Sequence, residues 1–250
     1  MNETPSEKSF NQFIKTIAGA EIIGDLKPGY AYPHLVADYF FDNRTIVAEL
    51  KCLEDDMMEK FQLLIDKKVK EGTLSLFYGS VSFEKLLSNM PDDKKEAMKK
   101  ESFEAVTSSL EDAFEKANKQ IRETKKNFNL RDSAGFLILT NNGNITLDPI
   151  LAVHKLQVLM NKKRNGQVRF ESLNFGIYIA TRHYMNVRAH QKIYPLITFI
   201  NDNLRKLNPK EEEFSDYFLK QYAAYKKLPL HLPNLKIQDA MKYPFRADSV

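Results

Sequence analysis

Asp38, Glu49 and Lys51 are of the right types to do chemistry on a phosphodiester. Two carboxylates are hard oxygen ligands of the kind that bind Mg²⁺, an ion that takes few protein groups and keeps several waters. An ion held there polarises a phosphoryl oxygen and lowers the pKa of a bound water. An ammonium beside it can orient the attacking water and offset the charge that develops on the phosphate. A bare Glu-x-Lys is common, and on a solvated sheet it is only an ion pair on one face. Here it lies inside the apolar run 46–52, where an exposed ladder would carry more polar residues, and an aspartate sits on the preceding run.

Whether the three groups meet depends on two strands and the turn between them. Residues 35–41 and 45–52 are rich in β-branched and aromatic side chains and are joined by Asp42-Asn43-Arg44, a short polar connection of hairpin length. Strand side chains alternate faces, so Val47, Glu49 and Lys51 share one face while Ala48 and Leu50 share the other. A two-residue turn at Asn43-Arg44 pairs Asp42 with Thr45 and sets Asp38 opposite Glu49. A three-residue turn sets Asp38 opposite Ala48, facing away, because a one-residue slip flips every side chain. The shorter turn is the register adopted here.

The segment ADYFFDNRTIVAELKC resembles the PD-(D/E)XK nuclease superfamily, in which an acid on one strand precedes an acid-x-lysine on the next. The resemblance implies Asp38 and Glu49 as metal ligands, the Leu50 carbonyl as a further ligand, Lys51 as the catalytic lysine, and Mg²⁺ (or Mn²⁺) as cofactor. It also implies an α/β fold with a restriction-endonuclease-like core, a central mixed sheet flanked by helices, over roughly residues 1–180. Ala37 stands where the motif has its proline, and about fifty residues are inserted before the long helix. Many members carry a polar residue on that helix, which falls on Gln120. RecB-type relatives add a tyrosine four residues later, where this chain has Thr124. Gln120 is also readable as an exposed polar residue beside Ala117 and Ile121. Glu7 has two readings too, as the metal-assisting glutamate some members place on the first helix or as part of a helix cap.

The remaining elements follow from pattern. Thr4, Pro5 and Glu7 form a capping box with proline in the first turn, followed by the stripe Phe10, Phe13, Ile14 and Ile17. Residues 24–32 read as a loop. A helix is expected from Glu54, with acids at its start, Lys67, Lys68 and Lys70 at its end and Gly72 to stop it. A short strand pair is expected over 74–83, with a charged stretch after Pro91. Phe103, Val106, Leu110, Phe114, Ala117 and Ile121 mark a long helix over 102–127. A strand over 135–140, a helix capped by Asp148-Pro149, and a strand over 175–180 come next. Residues 1–182 form the expected core, and 183–250 a mostly helical extension packed on it.

Length and composition suit this plan. The chain has 250 residues, 43% of them apolar and 28% charged, which is a globular balance with room for a core. No apolar run approaches the roughly 20 residues of a membrane span, and the polar N-terminus does not read as a secretory signal. With Cys52 alone, no intramolecular disulfide or cysteine-rich zinc site can form. The expectation is a cytoplasmic protein without a membrane partner, compatible with a homo-oligomer. The five histidines lack metalloprotease or zinc spacing.

Charge is uneven. Residues 151–210 sum to +9 and the remainder to −5. Such asymmetry fits a polyanion-binding face built from Lys162, Lys163, Arg164, Arg169, Arg182 and Arg188, and equally fits solvated helix ends. The run 182–192 mixes aromatic and basic residues as nucleic-acid surfaces do, and as a solvated loop does. The functional expectation is therefore a metal-dependent nuclease acting on nucleic acid, DNA before RNA on the strength of the resemblance. A non-catalytic nucleic-acid-binding or protein-interaction module on the same scaffold is the alternative.

Overall fold

The Thr4 capping box closes as its residues predict. The Thr4 hydroxyl accepts the Glu7 N–H at 3.3 Å, and the Glu7 carboxylate accepts the Thr4 N–H at 2.8 Å. These bonds start α1 (Pro5–Ile14), which buries Phe10, Phe13 and Ile14. The computed structural model of the chain describes residues 4–26, 36–75, 79, 82–88, 90–188, 191–228 and 246–247. The expected loop therefore lies mostly outside the described residues, as do the start of the first strand run and much of the expected strand pair over 74–83.

After α1 come β1 (Glu21–Ile22), β2 (Tyr39–Phe41) and β3 (Ile46–Leu53), then α2 (Met58–Lys70), α3 (Phe83–Ser88) and α4 (Asp92–Asn127). β4 (Ala134–Asn141) leads to α5 (Pro149–Met160), the small strands β5 (Lys163–Arg164) and β6 (Gln167–Val168), and β7 (Phe175–Ala180). The chain continues through β8 (His183–Arg188), β9 (Gln191–Ile193), β10 (Leu196–Ile200), α6 (Pro209–Tyr225) and β11 (Arg246–Ala247). The central sheet has six strands in the order β1-β2-β3-β4-β7-β10. β3, β4 and β7 run parallel, while β1, β2 and β10 pair antiparallel at the two sides, so the sheet is mixed.

Both faces of this sheet are covered, which is why its parallel strands read as near-continuous apolar runs. Phe40, Val47, Leu137, Leu139 and Tyr178 pack under α4 and α5 with Leu110, Phe114, Ala117, Ile121 and Leu156. Tyr39, Phe41, Ala48, Leu50, Phe136, Ile138 and Ile177 pack under α1 and α6 with Phe13, Phe218 and Tyr222. Glu49 and Lys51 share the parity of Val47 and therefore belong to the α4 face. A third cluster of Ile65, Leu74, Leu87, Met90 and Met98 joins α2, α3 and the start of α4.

Three sequence expectations change. The segment after Leu53 does not start its helix at Glu54. β3 runs through Leu53, α2 begins at Met58, and the Asp56 carboxylate instead accepts the Thr146 N–H at 3.0 Å. α4 begins ten residues earlier than its apolar stripe suggests, because Asp92 and Asp93 favour its positive end and Met98 anchors the charged turns. Among its described residues the C-terminal segment is not mostly helical, since they hold four strands and one helix. β10, built from Leu196-Ile197-Thr198-Phe199-Ile200, joins the central sheet itself. Its β-branched and aromatic residues suit a strand better than a helix. No helix among the described residues is long and apolar enough to cross a membrane.

Candidate active site

The turn after β2 decides the site. Asp42, Asn43 and Arg44 have φ of 45°, 52° and 65°, so the left-handed stretch includes the residue before the two central ones, and the Thr45 N–H donates to the Asp42 carbonyl at 3.0 Å. Positive φ at both central residues is the signature of the two-residue type I′ turn. Arg44 is a poor residue for that conformation, but Glu21 on β1 holds its guanidinium in two hydrogen bonds of 2.9 and 2.6 Å. The register that results pairs Phe41 with Ile46, Phe40 with Val47 and Tyr39 with Ala48. Asp38 lies at a bend just before β2, and its carboxyl comes within hydrogen-bonding reach of Glu49.

Side-chain contacts lock this arrangement. The Asp38 N–H donates to the Ala48 carbonyl at 3.1 Å, and Asp38 Oδ2 accepts the Leu50 N–H at 2.8 Å. A strand residue turns its N–H and C=O toward the same edge. The Leu50 carbonyl therefore faces the Asp38 edge, just past the start of β2. Lys51 Nζ donates to Glu49 Oε1 at 2.5 Å and to Gln120 Oε1 at 2.8 Å. Gln120 Nε2 in turn donates to the Val36 carbonyl at 3.3 Å. The four residues read from the sequence, Asp38, Glu49, Lys51 and Gln120, thus form one cluster between the sheet and α4.

Sequence reasoning missed the part played by Thr124. Its buried hydroxyl accepts the Ala37 N–H at 2.6 Å and donates to the Gln120 carbonyl at 2.8 Å. It thereby fixes the approach to β2 one helical turn from Gln120, and the i,i+4 spacing was the available signal. Thr124→Val would keep the shape and strand the Ala37 N–H. We expect a loss of about 1–3 kcal/mol in chemical denaturation, the cost of a buried unsatisfied donor. Unchanged stability would remove Thr124 from the support of the site.

Electrostatics set the cluster's character. Glu49 is only 1% exposed. Burial, and then the neighbouring Asp38 carboxyl, push its pKa well above the ordinary carboxylate range, against the pull of Lys51. Burial also raises Asp38, opposed by the Leu50 N–H and by Lys51, with the charge of Glu7 adding slightly to the rise. Glu7 itself is engaged in the capping box. Two facing carboxylates and one ammonium leave a net negative charge when both acids ionise.

Glu49 Oε2 is buried and meets no N–H or hydroxyl donor, and the Asp38 carboxyl lies within hydrogen-bonding reach of the Glu49 carboxyl. A buried carboxylate oxygen without a donor is costly, and a cation is one way of satisfying it. Asp38 and Glu49, with the Leu50 carbonyl that the resemblance implies, would make an all-oxygen set of the kind that suits Mg²⁺. Among the described residues no three or more histidine, cysteine, aspartate or glutamate side chains gather into a metal-binding group. The set is thus two carboxylates and a main-chain oxygen.

The basic residues are spread differently. Lys162 Nζ and Arg169 Nη1 both donate to Glu111 Oε1 on α4, at 2.6 and 2.5 Å, and Arg169 also pairs with Glu115. Glu111 precedes Gln120 by nine residues, about 13 Å along the helix axis. Lys163 and Arg164 are exposed on the β5–β6 hairpin. Arg182 is half-buried just beyond β7. Arg188 ends β8 with its backbone opposite Gln191, and its side chain lies outside the described residues. Lys162 and Arg169 are thus engaged on α4 about 13 Å along the helix from Gln120, not with the carboxylate cluster. No family model, curated protein or solved structure matches this chain.

Proposed function

We propose that this chain is a metal-dependent nuclease of the PD-(D/E)XK type, hydrolysing phosphodiester bonds in nucleic acid on a restriction-endonuclease-like core. The observation that carries the reading is the convergence of Asp38, Glu49, Lys51 and Gln120 around a buried carboxylate that faces a second carboxyl. A structural ion pair on a sheet face has no use for a second facing acid that raises the pKa of the first. DNA is favoured over RNA by the resemblance alone.

In this reading Asp38, Glu49 and the Leu50 carbonyl hold Mg²⁺ or Mn²⁺. That ion, when bound, polarises a phosphoryl oxygen and acidifies a water. Lys51 keeps its ammonium between Glu49 and Gln120, where it can donate to the attacking water or to a non-bridging phosphate oxygen. Gln120 holds that ammonium in place and is itself held by the Val36 carbonyl. The Leu50 N–H orients the Asp38 carboxylate.

The test is incubation of the purified chain with supercoiled plasmid, linear duplex, single-stranded DNA and RNA, with Mg²⁺, with Mn²⁺ and with EDTA. Metal-dependent cleavage that Lys51→Ala removes is the expected result. Binding of nucleic acid without cleavage under every condition would make the chain a binding module instead.

The basic residues give a graded expectation. Lys163 and Arg164 are exposed, whereas Lys162 and Arg169 already have carboxylate partners. In a cleavage-dead background, Lys163→Ala/Arg164→Ala should weaken binding to all sequences alike and flatten the dependence of log affinity on log salt by about one to two units. Lys162→Ala should do less. An unaltered salt slope in the double variant would leave this hairpin as solvated surface.

A further inference from the structure

The two edges of the central sheet differ. β1 is two residues long, and its Glu21 is held by Arg44. β10 offers five residues, Leu196-Ile197-Thr198-Phe199-Ile200, with β7 on one side only. The Pro195 carbonyl accepts the Ala180 N–H at 3.1 Å, and the Asn201 N–H donates to the Asn174 carbonyl at 2.9 Å. Both bonds run toward the β7 side. Main-chain groups alternate edges along a strand, so Ile197 and Phe199 also turn theirs to β7, while Leu196, Thr198 and Ile200 turn theirs away. Three N–H and three C=O groups therefore line a free edge, with no main-chain partner among the described residues.

The devices that blunt such an edge are missing from this strand. It holds no charged residue and no proline, and it pairs with β7 without a bulge. Thr198 is exposed, and Ile200 is 41% exposed at the strand's end. The Thr198 hydroxyl lies 3.3 Å from that of Ser215 on α6, and Phe199 is buried in the core, so the strand is held firmly with its outer edge open.

A row of main-chain donors and acceptors at this spacing is matched by another strand. The pattern of the row selects β10 of a second copy. With a two-fold axis through Thr198, Thr198 opposes Thr198, and Leu196 of each copy opposes Ile200 of the other. All the outward N–H and C=O groups then fall in hydrogen-bonded pairs. The strand is neutral, so self-pairing opposes no like charges, and the half-buried Leu196 covers the exposed Ile200.

We propose that β10 is a self-association edge, pairing antiparallel with β10 of a second copy about Thr198 and joining the two central sheets into one. This does not depend on the nuclease reading.

Sedimentation velocity of the full chain over a concentration series tests it. We expect a monomer–dimer equilibrium in the parent. Thr198→Lys, which sets two ammonium groups opposite each other, should raise the dimer Kd by at least about tenfold, and Ile200→Lys should act alike. Both residues are exposed, so the fold is retained, and unchanged melting of the dilute monomer checks that. Thr198→Cys gives a register-specific readout: opposed residues of a hydrogen-bonded pair lie about 5.5 Å apart between Cα atoms, within disulfide reach. Mild oxidation should link Cys at 198 to its counterpart, as peptide mapping would show. A dimer that both lysine variants leave intact, or one in which that link does not form, overturns the proposal. So does a parent that is monomeric at every concentration, which would leave the edge to a strand of another protein.

Discussion

If the proposed nuclease reading holds, Glu49→Gln should lower metal-dependent cleavage by at least about a thousandfold while leaving the fold intact. The expected loss reflects removal of one of two acidic ligands, which leaves the reaction without its main electrostatic stabilisation. The fold survives because glutamine matches glutamate in size and stays hydrogen-bonding. The glutamate it replaces is 1% exposed with a strongly raised pKa, so its neutral form is already the one that burial prefers. Asp38→Asn should act alike on cleavage. Gln120→Ala should cost less, about tenfold, because it removes the positioning of Lys51 and not a ligand. Cleavage assays paired with circular dichroism and melting separate these effects. Parental cleavage by a well-folded Glu49→Gln chain would end the nuclease reading.

Half of the cluster was legible in the sequence because one strand carries both Glu49 and Lys51. Alternation alone put Glu49 and Lys51 on one face, and the short turn put Asp38 across from Glu49. What pattern could not supply was the turn type. Asn43-Arg44 lacks the glycine that normally marks a type I′ turn, and a distant residue, Glu21, holds Arg44 in it. Gln120 was legible only as one of two readings, since a half-buried polar residue on a helix edge becomes functional through the groups it faces. Thr124 stayed hidden for the same reason: its partner Ala37 lies 87 residues away.

The C-terminal strands were hidden differently. The run 196–200 mixes apolar residues without strict alternation, because one side of β10 faces the core and its neighbours are only partly covered. Charge counting fared worst as a guide to geometry. It counts Lys162 and Arg169 as free cations, whereas α4 supplies Glu111 and Glu115 to meet them. Acids from the negative part of the chain fold back onto the positive part, so the segment sums of +9 and −5 overstate the separation of charge in space.

The melting temperature of the chain should respond to Mg²⁺ in a way that depends on pH. In the folded state burial raises both Asp38 and Glu49 above ordinary carboxylate values near about 4. A folded state with raised acid pKa values binds more protons than the unfolded chain between the two sets of values. The stability these groups contribute without metal is therefore fully present below the unfolded pKa, and is lost as pH rises through the folded values. A divalent cation held by the ionised pair, as proposed, would reverse the sense, because it would compete with their protons. Its apparent affinity should rise by up to about tenfold per pH unit for each proton displaced, until both acids are ionised without it. As pH rises above the ordinary carboxylate range, EDTA-treated protein should lose stability relative to Glu49→Gln, and the Mg²⁺-induced rise in melting temperature should grow over the same interval. Glu49→Gln should show a small rise that varies little with pH. Comparing the parent with this variant removes titrations elsewhere in the chain. A Mg²⁺ effect that is flat with pH in the parent, or equal in the two proteins, would show that the carboxylate pair is not where the ion binds.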